Sequence, residues 1–362
     1  MNIKEYNEIL AFHPGYYIGE IIDEMEITQE EFAKRLGTTP KTLSKLVNGK
    51  VRLSDEIAES LAIMLGTSIE MWLNLRTEFE CKCIEIDNRK KLDEQKEILK
   101  KIDYQYFINN KFIKETNNIN EKICRVCSFL AISNLSVLLK LDLCANFRSG
   151  TKDCNEKNII NNNVWLNIAI KIARDKRVKK YNPDRLREYL PEIRGMTIKP
   201  PNEFVPKLEY IFAECGVAFV LLPKMKNAAI NGAVKWLSPN KAVLAICDRR
   251  NYADTFWFSL FHEIEHIFQH KVTYVGVTGI DNISDLNVGL EKAADEFSRD
   301  FLIPKDDYNR LIRLGVYTEK TITDFAKSIG IAPGIVVGRL QNDKIVNYNS
   351  RLNSLKVKYK IY

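Results

Sequence analysis

Apolar positions recur at helical spacing in short bursts from residue 13 to 80. Ile18, Ile21, Ile22 and Met25 share one face of a first helix. Thr28-Gln29-Glu30-Glu31 fits a capping box, so a second helix starts there, turns Phe32, Ala33 and Leu36 inward and stops at Gly37. Thr39-Pro40 then caps a third helix, with Leu43, Leu46 and Val47 inside and Asn48-Gly49 at its end. Ile57, Leu61, Ile63 and Leu65 predict a fourth. Two short helices joined by a glycine-bearing turn within a small bundle make a helix-turn-helix.

Residues 81 to 200 read as helical, interrupted by a polar stretch from Asn146 to Asn163 that is expected to be a loop or joint. Beyond 200 the pattern changes. Gly216 to Leu222, Ile230 to Trp236 and Ala242 to Cys247 are short, β-prone and set between Pro, Asn and Gly, as strands of a small sheet would be. A long helix follows from about Tyr252 to His270, then a loop from Gly276 to Gly289, then a helix from Leu290 to Leu302 stopped by Pro304. The expected fold is α+β and mainly helical, in three regions: an all-α helix-turn-helix bundle over 1–80, a helical connection over 81–200, and a domain with a small sheet and a helical tail over 201–362.

Composition narrows the class. With 45% apolar and 28% charged residues the chain is neither disordered nor fibrous. Its longest apolar stretch, Phe129 to Leu141, is broken by Ser133, Asn134, Ser136 and Lys140, so no membrane span is expected. The N-terminus lacks a signal-peptide pattern, which implies a cytoplasmic address and reduced thiols for the eight cysteines, Cys124 and Cys127 included. The net charge of +7 is unevenly spread: residues 1 to 80 carry eight lysines and arginines against 14 acids, and residues 81 to 200 carry 25 against 15. Yet residues 32 to 54 hold Lys34, Arg35, Lys41, Lys45, Lys50 and Arg52 with no acid, a basic stripe suited to a polyanion. The run Arg174, Lys176, Arg177, Lys179, Lys180 reads as a solvated helix face.

The chemistry concentrates in His262-Glu263-Ile264-Glu265-His266. Histidines four apart lie about 40° apart around a helix and about 6 Å along it, so both imidazoles can meet one Zn²⁺. Glu263 projects beside the ion, placed to act as general base on the attacking water. A catalytic zinc usually takes three protein ligands. His270 is too far along the helix, and the longer three-histidine spacing fails because Gln269 and Val272 stand where its glycine and histidine would be. Glu291-Lys-Ala-Ala-Asp295 offers Glu291 as third ligand, with Asp295 one turn on to accept a ring N–H from a liganding histidine. His270 and Tyr274 lie near in sequence as candidates for a transition-state donor. Cys247 reads as a buried small side chain.

Two resemblances follow from these residues. Residues 13 to 79, from His13-Pro14-Gly15 through the helix-turn-helix to Gly66-Thr67-Ser68 and Trp72-Leu73-Asn74-Leu75, resemble the Cro/C1-type domain of HigA-family addiction-module antitoxins. Residues from about 200 to 304, through Phe256 to His266, Glu291 to Phe297 and Leu302-Ile303-Pro304, resemble the ImmA/IrrE metallopeptidase domain, which implies a zincin-like fold around the HExxH helix. Ile331 to Gln341 is similar to the tail of longer proteins that fuse both parts. The chain departs from the second family at Glu265, where glycine is common, at Ala293, where a second glutamate is common, and at Ser298, where alanine is common. By analogy with zincins, the resemblance implies a peptide lying extended along a strand edge.

In a helix-turn-helix the second helix enters the major groove. That assigns Thr39, Lys41, Thr42 and Lys45 to bases or phosphates, with Gln29, Asn48, Lys50 and Arg52 positioning the duplex. The expected protein is a DNA-binding regulator of toxin-antitoxin type, dimeric on a palindromic operator, whose zinc peptidase domain cleaves itself or a partner to relieve repression. A cognate toxin or a peptide is the expected second partner. The rivals are an antitoxin whose zincin fold only binds protein, and an enzyme with no DNA role.

Overall fold

The computed structural model describes residues 2–140, 155–247, 252–276 and 283–359, with side chains left aside at 270–276 and 283–287. The chain forms two compact units, Met1–Ile98 and Leu99–Tyr362. The division expected at residue 80 falls inside a continuous 33-residue helix, and no division separates 99–200 from the rest of the second unit.

The first unit opens with a hairpin that corrects the all-α expectation: β1 (Ile3–Tyr6) pairs antiparallel with β2 (Ile9–Phe12) through a turn with Asn7 in the left-handed region. Five helices follow: α1 (Pro14–Glu24), α2 (Gln29–Leu36), α3 (Pro40–Val47), α4 (Asp55–Leu65) and α5 (Ile69–Lys101). The caps expected for α2 and α3 are in place. Thr28 accepts from the Glu31 amide, Thr39 accepts from the Thr42 amide, and Gly37 closes α2 at φ +76°. The core is Ile18, Ile22, Phe32, Ala33, Leu36, Leu43, Leu46, Leu61 and Trp72. Ile63, expected inside, is 78% exposed. His13-Pro14-Gly15 has a physical reason: the His13 ring caps α1 through the Gly15 amide, and a side chain on Gly15 would sit 1.9 Å from the Leu46 carbonyl, so only glycine lets α1 lie on α3. Lys4 and Tyr6 tie the hairpin to Asp87 and Asp93 of α5.

The second unit continues through α6 (Tyr104–Asn109), α7 (Ile119–Leu130), α8 (Glu156–Asp175), α9 (Pro183–Gly195) and α10 (Pro201–Glu214). Strands β3 (Val217–Leu222), β4 (Gly232–Ser238) and β5 (Lys241–Cys247) come next, then α11 (Ala253–Gly276) and α12 (Ile283–Leu302), and last α13 (Lys305–Leu314), α14 (Glu319–Ser328) and α15 (Pro333–Asn342). The sheet order is β3-β5-β4, with β5 parallel to β3 and antiparallel to β4. Alternate residues of β3 and β5, such as Val217, Phe219, Leu244 and Ile246, enter a core with α9, α10, α11 and α15, as the period of a strand requires. α8 also packs on the sheet.

The polar stretch expected as a loop is partly helix. Residues 155–163 cap and open α8, and Asn161, Asn162 and Asn163 are buried; 141–154 lie outside the described residues. Each buried amide has a backbone task. Asn161 donates to Lys101 O and accepts from Asp103 N, Asn162 accepts from Ala229 N, and Asn163 donates to Leu138 O. Asparagine is a poor helix former, but here the hydrogen bonds of neighbouring segments hold it. The basic run beyond Arg174 leaves the helix, so it is no helix face; within it Lys176 pairs with Glu209 and Lys179 with Glu214. The loop expected up to Gly289 is shorter, since α12 begins at Ile283.

Candidate metal centre and nucleic-acid interface

α11 sends Phe256, Trp257, Leu260, Phe261, Ile264 and Ile267 into the core. The same 3.6-residue period leaves His262 and His266 facing α12, which packs along α11. Their Nε2 atoms stand 3.0 Å apart. The Glu291 carboxylate lies 3.5 Å from His262 Nε2 and 3.3 Å from His266 Nε2. His262, His266 and Glu291 thus offer three ligand atoms within 4.8 Å of one another. Asp295, one turn beyond Glu291, places Oδ1 3.0 Å from His262 Nδ1. The structure brings together all four residues read from the sequence. Ala293, where the resembled family often has a second glutamate, is exposed.

The charges fit a cation. A carboxylate accepts and does not donate, so the Asp295 carboxylate 3.0 Å from His262 Nδ1 favours the ring hydrogen on that nitrogen and the lone pair on Nε2, toward His266 and Glu291. Without a cation the cluster must hold protons. Burial pulls the His262 imidazole down, but the neighbouring carboxylates of Asp295 and Glu291 outweigh it and raise it to about 9. His266 is raised in the same contest between burial and Glu291. Burial pushes Glu291 up, yet the two imidazoles hold it at about 2. Buried, deprotonatable nitrogens around an ionised carboxylate suit Zn²⁺, which prefers imidazole and carboxylate donors.

Glu263 is buried beside this cluster, and burial, only partly countered by the imidazoles, raises its carboxyl to about 7. It lies against the start of β4. A Cβ on Gly232 would stand 2.7 Å from Glu263 Cγ and 2.9 Å from Oε1. Gly232 was legible only as a glycine within a β-prone run, a sign of close backbone approach. β4 is an edge strand of its sheet. Because the Cys247 amide donates to Asn231 O, alternation turns the backbone groups of Gly232, Val234 and Trp236 to the open edge. Gln269 was noted in the sequence only for breaking a histidine motif; it is buried between His266 and α12. The side chains of His270 and Tyr274 lie outside the described set. Cys127 is a buried free thiol, Cys124 an exposed one, and Cys247 is buried.

In the first unit, Gln29, Thr39, Lys41, Lys45, Asn48 and Lys50 are exposed and Thr42 is half-buried. Thr39 Oγ1 serves as the α3 cap and lies 2.9 Å from Thr42 Oγ1, while Asn48 donates to Ser44 O. Arg52 differs from the rest: Glu80 takes its guanidinium with both oxygens, at 2.6 and 3.3 Å. Its charge is matched within the unit.

Residues 18–72 match the family described as helix-turn-helix. The chain is 41% identical over 63 residues to the uncharacterized HTH-type transcriptional regulator YddM of Escherichia coli (strain K12), covering 17% of this chain and 67% of that protein. It is 27% identical over 84 residues to virulence-associated protein I of Dichelobacter nodosus, 23% and 78% of the two chains. It is 39% identical over 57 residues to antitoxin HigA-1 of Vibrio cholerae, 16% and 53%. These likenesses reach less than a quarter of the chain. Among the described residues, no helix is long and apolar enough to cross a membrane.

Proposed function

Because the chain belongs, through residues 18–72, to the helix-turn-helix family of transcriptional regulators, we propose that it is an antitoxin-type repressor whose second unit is a zinc-dependent peptidase, and that cleavage of this chain or a partner relieves repression. α3 enters the major groove, with Lys41 and Lys45 on base edges or phosphates, and two copies read a palindromic operator. Phosphate neutralisation by these lysines gives the binding its salt dependence.

His262, His266 and Glu291 would hold the zinc. When bound, zinc supplies a Lewis acid that polarises the scissile carbonyl. The chain's own groups do the rest. The open edge of β4 pairs with an extended peptide and lays it beside Glu263. Glu263 takes a proton from the attacking water at its carboxylate and passes it to the leaving nitrogen. Its carboxylate is buried against the start of β4, a site sheltered from bulk water in which a proton taken up is held for transfer. Asp295 keeps the His262 ring in the ligating tautomer.

The observation that carries this reading is the convergence of three ligand atoms beside a buried glutamate, in a chain that also presents an exposed basic helix. Glu263→Gln should leave zinc content and operator binding intact while abolishing both cleavage and derepression. Derepression that persists in this variant would remove the proteolytic switch and leave a protein-binding antitoxin.

A further inference from the structure

Gln269 is 7% exposed and sits one turn after His266 on α11. Its amide is bonded at both ends: Nε2 donates to Leu290 O at 3.0 Å, and Oε1 lies 2.9 Å from His266 Nδ1. The orientation follows from chemistry. A main-chain carbonyl only accepts, so the amide nitrogen must face Leu290, and the oxygen must then face the ring. An amide oxygen also only accepts, so the hydrogen of His266 is on Nδ1. The lone pair of Nε2 is left to point at His262 and Glu291. Leu290 immediately precedes Glu291, so the same amide ties the third ligand's helix to the helix of the first two.

We propose that Gln269 is a positioning residue of the metal centre, fixing the tautomer and direction of His266 as Asp295 does for His262. The proposal rests on the zinc reading above. The two histidines therefore have unlike outer partners, a carboxylate for one and a neutral amide for the other. An ionised acceptor raises ligand basicity more than a neutral one, so His262 is the stronger donor and the His266 side is the more easily weakened. Gln269 also hydrogen-bonds Glu265, whose carboxyl burial pushes up and this amide pulls back. Glu265 is half-buried and Gln269 buried, one turn apart on α11. The departure from glycine at 265 is matched by a side chain that satisfies it.

Two variants of the full chain separate the roles. Gln269→Leu removes both hydrogen bonds; Gln269→Glu keeps an acceptor for the ring and loses the donor to Leu290. Zinc affinity is read by chelator competition, and the zinc-loaded, ¹⁵N-histidine-labelled protein is read for its ring N–H protons. Loss of an outer-shell partner costs about 10- to 100-fold in metal affinity. The expected result is a drop of that size in Gln269→Leu with one ring N–H signal shifted and the His262 signal kept, and an affinity in Gln269→Glu well above that of the leucine variant. Equal losses in both variants with unchanged ring signals would mean that Gln269 only clamps the helices, and would overturn the proposal. Wild-type affinity in the leucine variant would also overturn it while leaving the zinc reading standing. A wild-type chain that takes up no zinc would remove both.

Discussion

The helix-turn-helix and the candidate metal centre are both built on helices, but they are specified over different distances. Within α2 and α3, each start and stop is set by a residue within three positions: Thr28 by the Glu31 amide, Thr39 by the Thr42 amide, Gly37 by its own left-handed turn. Gly15 against Leu46 is a demand set by a more distant partner there. The candidate metal centre needs α11, α12 and β4 at once, joining residues 232, 262, 263, 266, 269, 291 and 295. Local specification survives a change at one position with a local loss. A centre assembled from three elements has no such reserve, because each ligand's geometry depends on another element's packing.

That contrast can be broken from either side. The largest effect is expected at the centre: Glu291→Ala should weaken zinc binding by more than the roughly 100-fold that an outer-shell loss can cost, with operator affinity unchanged in a gel-shift titration. Next, Gly15→Ala should destabilise the first unit by about 1–3 kcal/mol, the usual range for forcing atoms into a packed contact, visible as an earlier denaturation midpoint and lost operator binding, with zinc content kept.

A third effect depends on pH in the metal-free chain. His262, raised to about 9, contributes stability that is complete below its unfolded value near 6.5 and is lost as pH rises through 9. Glu291, lowered to about 2, contributes stability that is complete above its unfolded value near 4.5 and is lost as pH falls through 2. Glu263 opposes the second half of this range, since a carboxyl raised to about 7 costs stability as pH rises from its unfolded value near 4.5 through 7, so the metal-free chain should be most stable near pH 4.5, and Glu291→Gln should flatten that maximum in melting curves taken across pH. Zinc affinity should run the other way and climb as His262 loses its proton toward pH 9. The smallest effect belongs to the exposed lysines: Lys41→Ala and Lys45→Ala should leave stability within about 0.5 kcal/mol, and each should reduce the salt slope of operator binding by about one.

Much of the first unit was legible because helix ends and faces are written in neighbouring residues. Its exceptions were the hairpin, whose strands are four residues each and too short to show a period, and Ile63, apolar but on the outer face. In the second unit the strands, both helices and the four residues of the cluster could be read from spacing. The Asn161-Asn162-Asn163 run could not, since its composition looks solvated and only the carbonyls and amides of distant segments reveal it as buried structure.

The sequence by itself determined the capped helices, the basic stripe and the pair of histidines one turn apart, because each depends on the fixed geometry of a single helix. Tertiary structure alone decided that Gly232 must lack a side chain, that Arg52 is matched by Glu80, and that Gln269 joins His266 to the chain before Glu291. These facts concern atoms brought within about 3 Å by packing, and packing is a property of all the elements together.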